Sequence, residues 1–204
     1  PSHHVATTKK KSVQLSGVVV AESSICSIDP DEGVLMYRGY DIAELTEHST
    51  YEETAYLLLE GELPSAAELD AFRAELSARE LPDETCALID ASASSAAPMD
   101  MLRTAVSTLS FSDPGRGRIE AAAGRATAAR LIAQLPTIVA RYHRRRLGLE
   151  PVAPDANLGY AENFLAMLDG SRPAERAARA FDVAMILHAE HEMNASTFTA
   201  RVVA

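Results

Sequence analysis

The sequence predicts an all-α, multi-helical fold with a small amino-terminal β-hairpin. Three observations predict it. Apolar residues recur at three- and four-residue spacing through most of the chain after Asp41, the period of helices that pack on one face. Aromatic residues make up only 5% and Trp is absent, so close-packed Ala- and Leu-rich helices suit the composition better than a sheet sandwich. The β-branched segments with turn residues beside them are confined to 13–40. With 204 residues, 47% of them hydrophobic, the chain can bury one sizeable core. No repeat, low-complexity tract or linker divides it.

The elements follow in order. Residues 1–12 are a polar tail in which Lys9, Lys10 and Lys11 form a solvated charge run; His3 and His4 are given no role. Gly17-Val18-Val19-Val20 is short and β-branched. Ile25–Ile28 and Val34–Tyr37 flank the turn-forming run Asp29-Pro30-Asp31-Glu32-Gly33, which makes a hairpin decorating the helical body. Arg38 beside it is either an anion ligand or the partner of a neighbouring carboxylate. Asp41–Glu47 is a short helix. Ser49 or Thr50 caps Tyr51–Glu60, where Ala55, Leu58 and Leu59 line one face and Gly61 ends the helix. Ser65-Ala66-Ala67-Glu68 is a capping box for a helix to about Ala78, with Leu69, Phe72 and Leu76 as its stripe. Pro82-Asp83 opens the next, to about Ala91, and Ser92–Ala97 is a loop.

Met99–Leu109 is a helix with Leu102, Val106 and Leu109 as its apolar row. Ser112–Gly117 is a turn cluster; it lacks the preceding strand and the Gly-Lys-Ser/Thr ending of a phosphate loop. A long helix spans Ile119 to Arg146, with a kink expected at Pro136. Its basic end, Arg141–Arg146, complements the helix dipole or meets an acidic partner surface or a cofactor phosphate. After a loop at Gly148–Asn157, Tyr160–Leu168 is a helix stopped by Gly170. Pro173 starts the helix that runs to Leu187.

Composition narrows the function. A net charge of −10 argues against a nucleic-acid partner but does not forbid an anionic substrate, because a local field can oppose the net one. Cys26 and Cys86 form neither a disulfide framework nor a metal pattern and read as reduced thiols. No secretory signal or membrane-length apolar run is visible, so a cytoplasmic protein without a membrane partner is expected.

The densest run of chemically capable side chains is His188-Ala189-Glu190-His191-Glu192-Met193-Asn194-Ala195-Ser196-Thr197-Phe198-Thr199-Ala200-Arg201. Phe181, Ala184, Met185 and His188 share helical spacing, and His191 follows one turn later, so both rings are expected to point inward. Asn194 or Ser196 would cap a second helix through Val203. Three readings fit these residues. The histidines are hydrogen-bonded core groups. They are ligands of a metal with Glu192, although the His-Glu-x-x-His order of zinc proteases is absent. Or they serve an anionic small molecule as donors or acid–base groups.

That run resembles the oxaloacetate-binding segment of the citrate synthase family. Other stretches agree with the family in order. They are Gly17–Ser23 with Tyr37-Arg38-Gly39-Tyr40-Asp41-Ile42, then Glu53–Pro64, then Pro98-Met99-Asp100-Met101-Leu102-Arg103-Thr104, then Gly159-Tyr160-Ala161-Glu162-Asn163-Phe164. The family usually has a His just before Pro-Met-Asp, where this chain has Ala97. The resemblance spans about Gly17 to Ala204. It implies a citrate-synthase-like large domain, with 13–204 as its amino-terminal portion, truncated before the small domain.

The resemblance also implies chemistry: acetyl-CoA and oxaloacetate are joined and the thioester is hydrolysed to citrate. A carboxylate removes a methyl proton, one His stabilises the enol, and another polarises the oxaloacetate carbonyl. His191 matches the histidine that hydrogen-bonds oxaloacetate. His188 and Asn194 match positions that shape the same corner. Glu190 and Glu192 are assigned to structure. No catalytic residue is assigned in this chain: the family's His-Gly-Gly and Gly-His-Arg loops, its catalytic Asp and its CoA-binding loops are expected downstream of Ala204. The resemblance thus implies an amino-terminal fragment, inactive alone, of a homodimeric acyltransferase. It needs no cofactor beyond acetyl-CoA as co-substrate. A 2-methylcitrate synthase using propionyl-CoA, and a non-catalytic helical dimerisation module, are the alternatives.

Overall fold

The structure is a computed structural model that describes residues 23–29 and 31–203. The polar tail and the Gly17–Val20 run lie outside the described residues. Three short strands, β1 (Cys26–Asp29), β2 (Val34–Tyr37) and β3 (Tyr40–Asp41), form an antiparallel sheet in sequence order. Cys26 lies opposite Tyr37, and Met36 opposite Asp41. The sequence predicted the first two strands and missed β3, whose two residues are too short for a periodicity to show. The hairpin turn forms because the Asp29 carboxylate accepts the Asp31 and Glu32 amides at 3.0 and 3.1 Å, and Gly33 takes φ +68°.

Helices follow: α1 (Ile42–His48), α2 (Tyr51–Glu60), α3 (Ala66–Leu76), α4 (Asp83–Ser92), α5 (Pro98–Thr108), α6 (Ala121–Arg146), α7 (Tyr160–Asp169), α8 (Glu175–Leu187) and α9 (Ala195–Val203). Thr50 and Ser65 make complete capping boxes with Glu53 and Glu68. Gly61 and Gly170 close α2 and α7 in the left-handed conformation.

The described core has three apolar clusters. Ile89, Ala93, Met101, Ala105, Leu109, Ile138 and Tyr142 join α4, α5 and α6. Ala55, Phe72, Leu76, Ala129, Ala133 and Tyr160 join α2, α3, α6 and α7. Tyr37, Leu45, Leu57 and Ile186 join the sheet to α1, α2 and α8. Two expected stripes are corrected. In α5 the buried row is Met101 and Ala105, continued by Leu109 just past its end, with Leu102 and Val106 half-buried beside it. The small Ala105 supplies the contact that larger neighbours were expected to make. In α2, Leu57 is fully buried, between the sheet and α8.

α6 runs unbroken through Pro136. Proline has no N–H to give the Ile132 carbonyl one turn back. The Tyr160 hydroxyl supplies it, donating to that carbonyl at 2.5 Å. The basic end of α6 is tied down. Arg141 grips Asp90 of α4 at 2.8 and 2.6 Å, Arg145 reaches Asp90 and Glu150, and Arg144 donates to the Glu150 and Leu168 carbonyls. Burial alone would raise the Asp90 carboxyl, but the hydrogen bonds from Arg141 and Arg145 outweigh it and hold it below the ordinary range. Arg38 pairs with no carboxylate among the described residues. Its guanidinium donates to the Ser24 hydroxyl and to the Leu58 carbonyl at the end of α2, so it serves a helix terminus. No helix among the described residues is long and apolar enough to cross a membrane.

Candidate functional site

The candidate site sits on the turn between α8 and α9, and both ends of α8 are fixed before the turn begins. Near its start, Arg179 donates to the Thr46 and Ser49 carbonyls at 2.5 and 2.9 Å, closing α1. Asp182 pairs with Arg179 at 2.7 Å and accepts the Tyr51 amide at 3.0 Å, at the first residue of α2. Burial raises the Asp182 carboxyl, against the Tyr51 amide and Arg179, which favour its ionised form. At the other end, Tyr37 is fully buried. Its hydroxyl donates to the Ile186 carbonyl at 3.1 Å, lies 3.5 Å from the Leu187 carbonyl, and accepts the Glu190 amide at 3.3 Å. Burial pushes the Tyr37 phenol up, so it stays a neutral donor and acceptor.

The histidines do not face inward. α8 ends at Leu187, so the helical spacing that placed them on the apolar stripe no longer applies, and Ile186 fills the core instead. Both rings are exposed. Each is tethered to a carbonyl left open by the end of α8: His188 Nδ1 lies 2.7 Å from the Ala184 oxygen, and His191 Nε2 lies 3.1 Å from the Leu187 oxygen. A carbonyl only accepts, so those ring nitrogens carry the protons. His188 Nε2 and His191 Nδ1 are left facing outward bonds. The two rings lie nearly parallel, 6.4 Å apart between centroids and inclined by 14°.

Beyond them Glu192 takes φ +65°, a left-handed conformation at a non-glycine residue that reverses the chain. Asn194 then opens α9, its side chain accepting the Ser196 and Thr197 amides at 3.1 and 3.0 Å. It is the N-cap, one of the two residues the sequence offered for that role. The structure therefore brings His188 and His191 together and puts Asn194 on the same turn in a capping role. Neither Glu190 nor Glu192 hydrogen-bonds to a histidine ring among the described residues. Sequence reading missed Tyr37, Arg179 and Asp182, which hold the site from other elements. Tyr37 stood within a quoted motif, but a strand tyrosine gives no sign of the carbonyl 149 residues away that it reaches.

A cleft of about 400 Å³ opens behind the turn, between Cys26, Glu190, Glu192, Met193, Thr197 and Arg201. Burial raises the Cys26 thiol, the Glu190 and Glu192 charges raise it further, and the Glu192 amide opposes them. The thiol is free, as is that of Cys86. Among the described residues no three His, Cys, Asp or Glu side chains converge to hold a metal. A larger cleft of about 530 Å³ lies elsewhere, past Glu52, Arg79 and Asp182. Two of its charges are committed to the frame: Glu52 accepts the Tyr160 amide, and Arg79 donates to the Leu76, Asp155 and Leu158 carbonyls. Paired imidazoles with outward nitrogens suit hydrogen bonding to an oxygen-rich ligand, and among the described residues no carboxylate hydrogen-bonds to either ring.

Comparison with known proteins identifies the family. The family model described as "Citrate synthase, C-terminal domain" matches residues 14–204. The citrate synthase of Haloferax volcanii is 44% identical over 193 residues, covering 92% of this chain and 51% of its own length. The 2-methylcitrate synthase of Mycobacterium tuberculosis is 46% identical over 190 residues, covering 93% and 48%. The solved structure of the Thermoplasma acidophilum citrate synthase, described as a ternary complex with carboxymethyl coenzyme A and oxaloacetate, superposes with a TM-score of 0.84. It is 27% identical and covers 93% of this chain and 50% of that one. The chain thus spans about half the length of the curated relatives it matches. From residue 14 to its last residue, the chain belongs to the citrate synthase family.

Proposed function

We propose that residues 13–204 are the amino-terminal portion of the large domain of a citrate synthase and carry its oxaloacetate corner. The whole protein condenses acetyl-CoA with oxaloacetate and water, releasing citrate and CoA, as the entry step of the tricarboxylic acid cycle. It works as a cytoplasmic homodimer, with acetyl-CoA as co-substrate and no metal or prosthetic group. The observation that carries the reading is the parallel His188–His191 pair at the end of α8, in a segment that matches the family's model. His191 contacts oxaloacetate through Nδ1, because Nε2 is held by the Leu187 carbonyl. His188 and Asn194 shape the corner: one closes α8, the other opens α9.

The chemistry of proton abstraction belongs to the rest of the protein, since the turn offers no carboxylate bonded to either ring. The test is the His191→Gln variant of the full-length enzyme. It is expected to lose at least about tenfold in kcat/KM for oxaloacetate, the effect of one charged or polar ligand contact. An unchanged kcat/KM would overturn the assignment. The second reading, 2-methylcitrate synthase, draws support from the 46% identity to the Mycobacterium tuberculosis enzyme of that name. Thiol release with propionyl-CoA exceeding that with acetyl-CoA would decide for it.

A further inference from the structure

We propose that Tyr37 is the positioning residue of the histidine turn: its hydroxyl bridges the end of α8 to the Glu190 amide and so sets where His188 and His191 stand for a 2-oxo dicarboxylate. The ligand class rests on the oxaloacetate reading above. The bridge itself rests on geometry. Tyr37 is anchored in the sheet, with Cys26 opposite it on one side and Tyr40 on the other. Its ring packs with Leu45, Leu57 and Ile186 and is fully buried. Arg38, at φ +51°, locks the strand's end by donating its amide to Ile25 and its guanidinium to Leu58.

The hydroxyl is not needed to satisfy α8. The Ile186 carbonyl already accepts the Ala189 amide at 3.2 Å. The Glu190 amide, in contrast, has no other acceptor among the described residues. What the hydroxyl adds is a fixed separation between peptide units 186 and 190, the span that contains His188 and ends beside His191. The His191 ring holds the Leu187 carbonyl, which itself lies 3.5 Å from the same hydroxyl. One buried phenol therefore sets both the backbone of the turn and the peptide that orients His191.

Tyr37→Phe keeps the ring and its packing and removes the bridge alone. In the 204-residue chain, amide hydrogen exchange should quicken at Glu190 by about tenfold or more, the ratio expected for one lost hydrogen bond, with α8 amides unchanged. In the full-length enzyme, KM for oxaloacetate should rise by about fivefold or more while KM for the acyl-CoA holds. A merely structural role would lower the folded fraction, scaling kcat and leaving both KM values alone. That result, or a Glu190 amide that exchanges as in the wild type, overturns the proposal. If the full-length wild-type enzyme turns over no oxaloacetate, the ligand reading fails instead, and the Glu190 exchange still decides whether Tyr37 holds the turn.

Discussion

His191 reaches the surface because a backbone carbonyl at the end of α8 needs a donor and the ring provides one. The cost is one ring nitrogen, and the gain is a fixed orientation for the other. The same logic governs Tyr160, which donates to the Ile132 carbonyl that Pro136 leaves open. Replacing Tyr160 by Phe would strand that carbonyl against a buried ring, and thermal or urea unfolding should show a loss of about 1–3 kcal/mol. Wild-type stability in Tyr160→Phe would mean the helix satisfies Pro136 in another way. These side-chain partners were not legible in sequence. Hydropathy spacing placed His188 and His191 inward because it assumes that a helix continues. It carries no information about where terminal carbonyls find donors, and the break at Leu187 moved both rings outward.

Elements were legible where their ends carry chemistry. Thr50, Ser65, Gly61 and Gly170 mark helix boundaries through hydroxyl caps and left-handed glycines, and α2, α3 and α7 begin or end at them. Asn194 marks α9 likewise, and Asn194→Ala should cost about 1 kcal/mol and speed amide exchange at Ser196 and Thr197. Unaltered exchange there would remove the cap from the account. The α4–α6 seam tests electrostatics. Arg141 and Arg145 hold the Asp90 carboxyl below its ordinary value, so its contribution is complete above the unfolded-state pKa near 3.8 and is lost as pH falls through the lower folded value. Asp90→Asn should lower stability by about 1 kcal/mol at pH 7, a modest figure because the pair is partly exposed. The difference in Tm from wild type should shrink in acid below about pH 4. A difference that persists unchanged there would point to packing instead. The sheet, expected as decoration, is a working part: Arg38 closes α2 and Tyr37 bridges the end of α8. Two-residue β3 and these long-range bonds have no local signature.

At the scale of the whole molecule, α6 joins two of the three clusters, and the third hangs the histidine turn on the sheet, α1 and α2. The frame thus fixes the backbone of the proposed oxaloacetate corner, and under the same proposal the carboxylate base lies outside the half of the relatives' length that this chain spans. Met99, Phe111, Ile119 and Val203 stand well exposed, apolar surface that fits our proposal that this chain is one portion of a larger, homodimeric protein. The order of the short motifs along the chain was enough to identify the family, since helices and turns keep their sequence order even where side-chain directions were misread.

The measurement that bears most directly on this account is oxaloacetate-dependent thiol release from acetyl-CoA, run on the 204-residue chain alone and again on the full-length protein. The account predicts turnover by the full-length protein and none above the blank by the chain, because the turn holds paired imidazoles and no poised base. Turnover by the 204 residues alone would contradict it, and would place the chemistry on Glu190 or Glu192 beside His188 and His191.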